Sequence, residues 1–419
     1  MKQRNTKHEK RLKKLILTCL LLAVVLTVGT YAWFIGMQTV SVDAFEVKIA
    51  AVEDLALSLD GTSNSWSTEL TITEEILKEN TYAKTTYSWT GLKPVSTVGA
   101  ISADTSKLVM YDKGSLTASA GGYRLMSSLV TNKLTAKDAD GNTISGEEDG
   151  YVAFDLFIKN MSGDAYYSDI AANEEAIYLS TDSSVVVKDA GNDISGIENS
   201  IRVAFAQIGR VKSDASASTI QSISCKSVYA DTGITPICTD RYATIYEPND
   251  TDHVEDAITW FGKTCKKRGT DGAYTTTACD LIADGTHYPT YAVSGVIGHE
   301  NAVDVYDGLN GYTGTTSNTA GAGKLVAIDT FTDTEKLKEG TERPQFFTLA
   351  PNSITKVRVY VYLEGQDVDN YDFASLGNNV LVNFGFTKER FTGTEIGGED
   401  LQTDVNNYNN ENKITPVTE

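Results

Sequence analysis

The chain has 419 residues and a formal net charge of −20, because 56 acidic side chains outnumber 36 Lys and Arg. This charge repels nucleic acid and anionic lipid surfaces, which excludes both as expected partners. Ordinary contents of aromatic residues (9%) and charged residues (22%) exclude a disordered chain, and the abundance of Tyr and Gly favours a mainly β protein.

The N-terminus resembles a secretory signal peptide. Residues 1–14 are basic, and Leu15–Val28 is an apolar run. Small residues then stand at positions −3 and −1 of a cleavage site between Ala32 and Trp33. The pattern favours a signal peptide over residues 1–32.

A retained membrane anchor is the alternative. Residues 15–34 are long enough to span a bilayer, and Tyr31, Trp33 and Phe34 suit a membrane interface. In either case the basic end stays in the cytoplasm and the remainder lies outside. We therefore expect an extracellular or cell-surface protein, which contacts a membrane through residues 15–34 only if it is uncleaved.

Alternating apolar and polar residues predict many short β-strands. The first alternation, over residues 39–49, slips by one position near Ala44, as at a β-bulge. The other candidates are residues 55–59, 150–159, 175–180, 184–188, 200–208, 354–363 and 379–386. Within 354–363 the valines share one face and Arg358 shares the other with two tyrosines, which predicts a half-buried antiparallel strand. These strands predict a jelly-roll-like antiparallel β-sandwich with an inserted, cysteine-containing subdomain.

Few helices are expected, and all are short. Residues 73–79 form one candidate, with a lid as the alternative. The clearest is Asp252–Cys265, in which Asp252 and Glu255 have the spacing of a capping box.

Four cysteines lie in one window outside the predicted leader: Cys225, Cys238, Cys265 and Cys279. An even number in an exported protein predicts disulfides, although three connectivities remain open. Their spacing does not fit a zinc site. We predict a first sandwich part over 33–215, an insertion over 216–325, the last sandwich strands over 326–395 and a polar, disordered tail over 396–419.

Two acidic segments are weak candidates for calcium binding. Asp138, Asp140 and Asn142 alternate as calcium ligands do, but Thr143 stands where an EF-hand loop needs glycine, so a hairpin turn is favoured. The second segment, Glu364–Asn370, contains Asp367 and Asp369 directly after a strong strand. A solvated polar turn is favoured there, and no metal is predicted.

No catalytic or cofactor motif is present in the sequence, so we predict neither an enzyme nor a cofactor. His253, His287 and His299 belong to no H-E-x-x-H pattern and are predicted to be polar surface residues. There is also no G-x-S-x-G motif, P-loop or G-x-G-x-x-G after a strand.

The GTYAWF stretch at residues 29–34, behind a basic start and an apolar run, resembles the signal region of secreted Firmicute proteins that a SipW-type peptidase processes. The best-known members form the TasA/camelysin family of surface and biofilm-matrix proteins. The strands at 151–160 and 200–209, together with the segments 357–370 and 382–388, look like the jelly-roll strands of such proteins. The resemblance implies Gram-positive-type secretion, cleavage between Ala32 and Trp33, and a structural role in fibres.

In such fibres the freed N-terminal segment of one subunit completes the sheet of the next. Carried over, this implies a donor strand whose anchoring side chains are Trp33, Phe34, Val40, Val42 and Phe45. The segment can instead form the first strand of its own sandwich, which local pairing favours.

The sequence therefore predicts a surface or biofilm-matrix structural subunit, whose partners are other copies of itself or other surface proteins. A membrane-tethered adhesin or glycan-binding sandwich, using Tyr-rich loops and the insertion, is the second hypothesis. A secreted hydrolase is the third, although no catalytic constellation supports it.

Overall fold

The structure is a computed structural model. It describes residues 14, 16, 18, 46–51, 54–82, 88–89, 92, 94–113, 126–129, 135–137, 143–145, 150–170, 174–187, 196–238, 241–249, 251–264, 266–268, 274–278, 284–285, 290–293, 325–328, 345–365, 367–370 and 380–389. Among these residues the strands greatly outnumber the helices, which confirms the mainly β class.

The strands in the first half of the chain are β1 (Glu46–Ala51), β2 (Leu55–Ser58), β3 (Glu69–Ile72), β4 (Ser88–Trp89), β5 (Pro94–Ile101), β6 (Leu108–Lys113), β7 (Met126–Leu129), β8 (Thr135–Lys137), β9 (Thr143–Ser145), β10 (Val152–Asn160), β11 (Glu175–Leu179), β12 (Ser184–Val187) and β13 (Ile201–Lys212). Those in the second half are β14 (Thr235–Pro236), β15 (Thr244–Tyr246), β16 (Lys266–Arg268), β17 (Tyr274–Ala278), β18 (Thr290–Val293), β19 (Leu325–Ile328), β20 (Phe347–Leu349), β21 (Ser353–Glu364) and β22 (Val380–Thr387).

The helices are α1 (Glu74–Glu79), α2 (Ala217–Gln221), α3 (Tyr229–Thr232) and α4 (Glu255–Thr264), with a 3-10 helix at Ile197–Ser200. In α1 the predicted short helix is confirmed, and the Thr73 hydroxyl caps it by accepting from the Ile76 N–H. Helix α4 begins later than predicted, at Glu255 rather than Asp252.

Two main sheets pack as a sandwich. The first has the order β20-β11-β22-β1-β3, and β12 also pairs with β22. The second has the order β14-β13-β21-β5-β6-β7-β18-β19, while β10 pairs with β21, β2 and β4, and β15 pairs with β13. Most pairings are antiparallel, as predicted.

The principal core fills the space between these sheets. Aliphatic residues of β10, β13 and β21 contribute one side, and β1 and β22 contribute the other. Phe205 lies at its centre, with its ring centroid 4.8 Å from that of Phe346 and 4.9 Å from that of Phe384, both in edge-to-face geometry.

Strand β21 is buried on both faces, so the prediction of a half-buried strand is wrong. A second apolar cluster covers its outer face and includes Tyr360 and Tyr362 of β21, Met110 of β6 and both Cys225 and Cys238. The alternation in the sequence reflects two different interiors. The aliphatic face meets the other sheet, and the tyrosine face meets β5, β6 and the disulfide-bonded segment.

Arg358 stays buried on this outer face because Asp155 lies directly opposite it in the register of β10 and β21. The Arg358 Nη1 atom is 2.7 Å from Asp155 Oδ1, Lys356 Nζ is 3.2 Å from Asp155 Oδ2, and the Tyr82 hydroxyl donates to the same oxygen at 2.7 Å. Burial by itself raises the pKa of Asp155, but the two cations and the hydrogen bonds outweigh it and leave that pKa below its ordinary value.

The first strand occupies an interior place in its sheet. Val47 of β1 pairs in parallel with Val382 of β22 and antiparallel with Ile72 of β3. The part of the predicted first alternation that is described, residues 46–49, therefore pairs within its own chain. Residues 33–45, with the candidate donor side chains and the predicted bulge near Ala44, lie outside the described residues.

Within the described residues, none of the helices combines the length and the apolar character that a membrane crossing requires. Of residues 1–34, which hold the predicted leader or anchor, only Lys14, Ile16 and Thr18 are described.

Candidate functional site

One cluster of potential metal ligands is found in the described part of the chain. It consists of His253, Asp367 and Asp369, whose donor atoms all lie within 4.8 Å of one another. All three residues are buried, with exposed fractions of 6%, 3% and 0%. We call this group the His–Asp–Asp cluster.

Two segments that are distant in sequence build the cluster. Asp367 and Asp369 lie in the turn after β21, where Asp367 Oδ1 accepts from the Asp369 N–H at 2.8 Å. His253 lies just before α4 and its backbone N–H donates to Asp284 Oδ1 at 3.0 Å. The turn therefore bends back on itself and presents both carboxylates to the start of the helix.

Asp369 joins these two segments directly. Its Oδ2 atom is 2.7 Å from Nδ1 of His253, and its Oδ1 atom accepts from the Val254 N–H at 2.9 Å. The carboxylate thus occupies the place of a capping side chain at the N-terminus of α4, where negative charge is stabilised. Burial raises the pKa of Asp369 to about 6, with a further contribution from Asp367, while the hydrogen bond with His253 acts in the opposite direction.

Arg202 extends the cluster toward the sheet. It lies in β13, and its Nη2 atom is 2.6 Å from Asp367 Oδ2 while its Nε atom is 2.7 Å from Glu247 Oε1. The three side chains are almost completely buried. The guanidinium therefore neutralises part of the negative charge that Glu247 and Asp367 bring into the interior.

Tyr362 completes the surroundings. It lies opposite Arg202 in the register of β13 and β21, and its side chain is fully buried. Its hydroxyl has no hydrogen-bond partner among the described residues. Burial and the neighbouring carboxylates of Glu364 and Glu247 raise its pKa well above the ordinary value.

Two sequence predictions are therefore wrong. The segment after β21 is not a solvated polar turn, because Glu364, Asp367, Asp369 and Asn370 are all buried. His253 is not a surface residue either. Since α4 and this turn pack together, polar groups that a turn would normally expose to water find partners inside the molecule instead.

The remaining candidate residues lie outside the described residues: Asp138, Asp140 and Asn142 of the other acidic segment, the histidines His287 and His299, and the N-terminal residues Ala32, Trp33, Phe34, Val40, Val42 and Phe45. The strands that flank 138–142 are described, and Lys137 of β8 pairs antiparallel with Thr143 of β9. That pairing is what a hairpin turn at 138–142 requires.

One disulfide joins Cys225 and Cys238, with 5.8 Å between the Cα atoms. Of the three connectivities that the sequence leaves open, the structure shows the one that pairs these two cysteines. Cys265 and Cys279 lie outside the described residues. Both bonded cysteines are buried in the outer cluster against β13 and β21. The disulfide therefore closes the segment that covers the tyrosine face of β21.

Sequence reasoning missed Arg202 and Glu247. Arg202 stands inside the mostly apolar strand IRVAFAQI. A charged residue in a buried strand normally has a charged partner, so this position could have been singled out from the sequence. Nothing in the spacing connects it to Asp367, because the pairing of β13 with β21 alone brings them together.

The donor residues of the cluster are buried away from solvent. A scan against protein-family models finds no match, and comparisons with curated proteins and with solved structures likewise return none.

Proposed function

We propose that the protein is an extracytoplasmic structural subunit of a cell surface or biofilm matrix, and that copies assemble by exchange of the N-terminal strand. The observation that carries the proposal is the interior position of β1, between β22 and β3. Without β1, two strand edges would be open to pairing.

This position favours exchange because β1 is the first strand of the sandwich. Val47 and Ile49 insert into the core between the sheets, with exposed fractions of 0% and 2%. The equivalent strand of a second copy offers the same side chains and the same hydrogen bonds, so it fits the same slot. The predicted cleavage between Ala32 and Trp33 supports the proposal, because it frees the chain on the N-terminal side of β1.

A disulfide-trapping experiment tests the exchange. Lys48 of β1 is exposed and pairs with Asn383 of β22, so the double variant Lys48→Cys and Asn383→Cys places two thiols at neighbouring positions. The matched control is Val186→Cys with Leu381→Cys, which joins β12 to the other side of β22. Both are oxidised after incubation of the protein that starts at Trp33.

We expect the β1–β22 variant to give a ladder of covalent multimers on a non-reducing gel, and the control to stay monomeric. Fibres in electron micrographs of the unmodified protein should accompany the ladder. Monomeric bands for both variants, together with no fibres, would show that β1 stays in its own sandwich and would refute the proposal.

A surface observation favours a second candidate, a glycan-binding or adhesive module. Tyr167, Val228 and Tyr229 are exposed by 43%, 56% and 47%. The Tyr166 hydroxyl lies 2.9 Å from Thr235 Oγ1, just after α3, so the two segments lie close together. Aromatic rings on a rigid sandwich suit stacking against sugars. Binding on a glycan array that is lost in the double variant Tyr167→Ala, Tyr229→Ala would favour this candidate.

A further inference from the structure

We propose that the His–Asp–Asp cluster binds one divalent transition-metal ion, with His253, Asp367 and Asp369 as ligands, and that the ion fastens the turn after β21 to the start of α4. This inference is independent of strand exchange. It involves no residue of β1 and holds for a monomer as well as for a fibre.

The donor set selects the class of ion. An imidazole nitrogen with two carboxylate oxygens suits Zn²⁺ and its first-row neighbours, whereas Ca²⁺ prefers a shell of six to eight oxygens. The nitrogen of His253 therefore shifts the expected preference from Ca²⁺, which two carboxylates alone would suit, to a transition-metal ion. Zn²⁺ is the appropriate probe and Ca²⁺ is the comparison.

The geometry is close to that of a bound ion. Donors that lie about 2.0–2.2 Å from one metal are at most about 4.4 Å apart. The donor atoms of the cluster lie within 4.8 Å of one another, so side-chain adjustment alone can bring them around an ion. If His253 Nδ1 and Asp369 Oδ2 are the ligand atoms, the hydrogen bond between them is exchanged for the two bonds to the ion.

The contacts that hold the ligands in place are compatible with the ion. Val254 donates to Asp369 Oδ1 and Arg202 donates to Asp367 Oδ2, and each carboxylate oxygen has two lone pairs. These donors can therefore remain as the outer partners that orient metal ligands.

The Tyr362 hydroxyl is a second, independent observation that points to a ligand. It is fully buried and lacks a hydrogen-bond partner among the described residues, although buried polar groups are normally paired. It lies beside Arg202, whose guanidinium contacts Asp367. A bound water or other ligand beside Arg202 would supply the missing partner.

Equilibrium dialysis of the full, tag-free chain against Zn²⁺, followed by elemental analysis, tests the proposal. Dialysis over days is needed because the ligands are buried, and the ion can reach them only when the surrounding structure opens locally, which is rare. The variant His253→Gln removes one ligand, and His299→Gln is the matched control for any other histidine. Circular dichroism verifies folding, and a thiol assay verifies that cysteine oxidation is equal in all samples.

We expect His253→Gln to hold one Zn²⁺ fewer than the unmodified chain and the His299→Gln control. Its affinity at this site should fall by more than about 100-fold, since loss of even an outer partner costs about 10–100-fold. Equal Zn²⁺ content in all three proteins would overturn the proposal, as would stabilisation by Ca²⁺ in preference to Zn²⁺.

A second measurement covers the case in which His253→Gln does not fold. Co²⁺ bound to the unmodified chain should give a visible absorption spectrum of nitrogen and oxygen coordination without a thiolate charge-transfer band. A spectrum with that band, or no bound Co²⁺, would refute the proposed ligand set.

Discussion

Two glycines share nearly the same backbone conformation but differ in their surroundings. Gly196 has φ +69° and Gly233 has φ +71°. A Cβ atom at Gly196 would lie 2.8 Å from both Asp369 Oδ1 and Val254 Cγ1, whereas one at Gly233 would meet nothing within 4 Å. The pair therefore separates the effect of conformation from that of packing.

We expect Gly233→Ala to lower the free energy of unfolding by about 1 kcal/mol, the cost of a left-handed alanine. Gly196→Ala should lower it by about 1–3 kcal/mol more, because it also displaces Asp369 or Val254. Urea unfolding of both variants measures the difference. Equal losses would mean that the His–Asp–Asp cluster yields to the added methyl group without cost.

Asp155 should make folding sensitive to acid. Its pKa in the folded protein lies below the ordinary value of 3.8, so its stabilising contribution is complete above that value and is lost as the pH falls through the lower, folded pKa. Asp155→Asn leaves Arg358 and Lys356 without their carboxylate, and we expect a loss of about 3 kcal/mol at neutral pH.

Unfolding measurements from pH 7 down to pH 2 test this prediction. The difference in the free energy of unfolding between the unmodified protein and Asp155→Asn should become smaller below pH 3.8. Glu74→Gln is the control. The ion pair of Glu74 with Lys78 is exposed, so its loss should lower the free energy of unfolding by no more than about 0.5 kcal/mol. A gap that stays constant with pH would show that Asp155 does not contribute through its charge.

The sequence indicates which individual residues carry charge but not which of them are buried. Asp367 and Asp369 can be singled out because they follow a strong strand. Their burial depends on α4, and the role of His253 depends on the same contact. Local patterns do not contain that information, since the two segments meet only in the folded chain.

At the scale of elements, the Cys225–Cys238 disulfide should stabilise the cover over β21. It closes a short loop, with a sequence separation of 13. Replacing both cysteines with alanine should lower the free energy of unfolding by about 3 kcal/mol, by the loop-entropy argument.

Hydrogen exchange provides the measurement with spatial detail. Amides of α2 and β14 should lose protection in the double alanine variant, while those of β1 and β22 should keep it, because they lie in the other sheet. Uniform loss of protection would instead mean that the covering segment and the sandwich unfold as one unit.

Strands were the most predictable elements. The periods over 150–159, 200–208, 354–363 and 379–386 correspond to β10, β13, β21 and β22, because alternation directly reflects the pleat of a strand. The burial of the second face of β21 was not predictable, since tyrosines and Arg358 suit water as well as a polar interior. The start of α4 was misplaced for a related reason: its cap comes from Asp369, far along the chain.

At the scale of the whole molecule, the state of the N-terminus decides how the sandwich is used. We expect the protein recovered from its own cells to begin at Trp33, because a small-x-small sequence ends at Ala32. Intact mass with N-terminal sequencing measures this directly. A start at Met1 would mean that residues 15–34 are retained as an anchor, and a tethered adhesin would then replace the released subunit.

The pairing of β1 with β22 has a consequence for the order of folding. Val47 near one end of the chain is a neighbour of Val382 near the other, and Val152 of β10 pairs with Val361 of β21, which is also distant in sequence. Such non-local contacts make folding slow, because the entropy of closing a long loop is lost before the contacts form. A chain that emerges from a ribosome or a translocation channel cannot complete either main sheet until β21 and β22 have appeared. Until then its valine-rich strands remain unpaired and prone to aggregation, so a chaperone or rapid export of the final segment would raise the yield of folded protein.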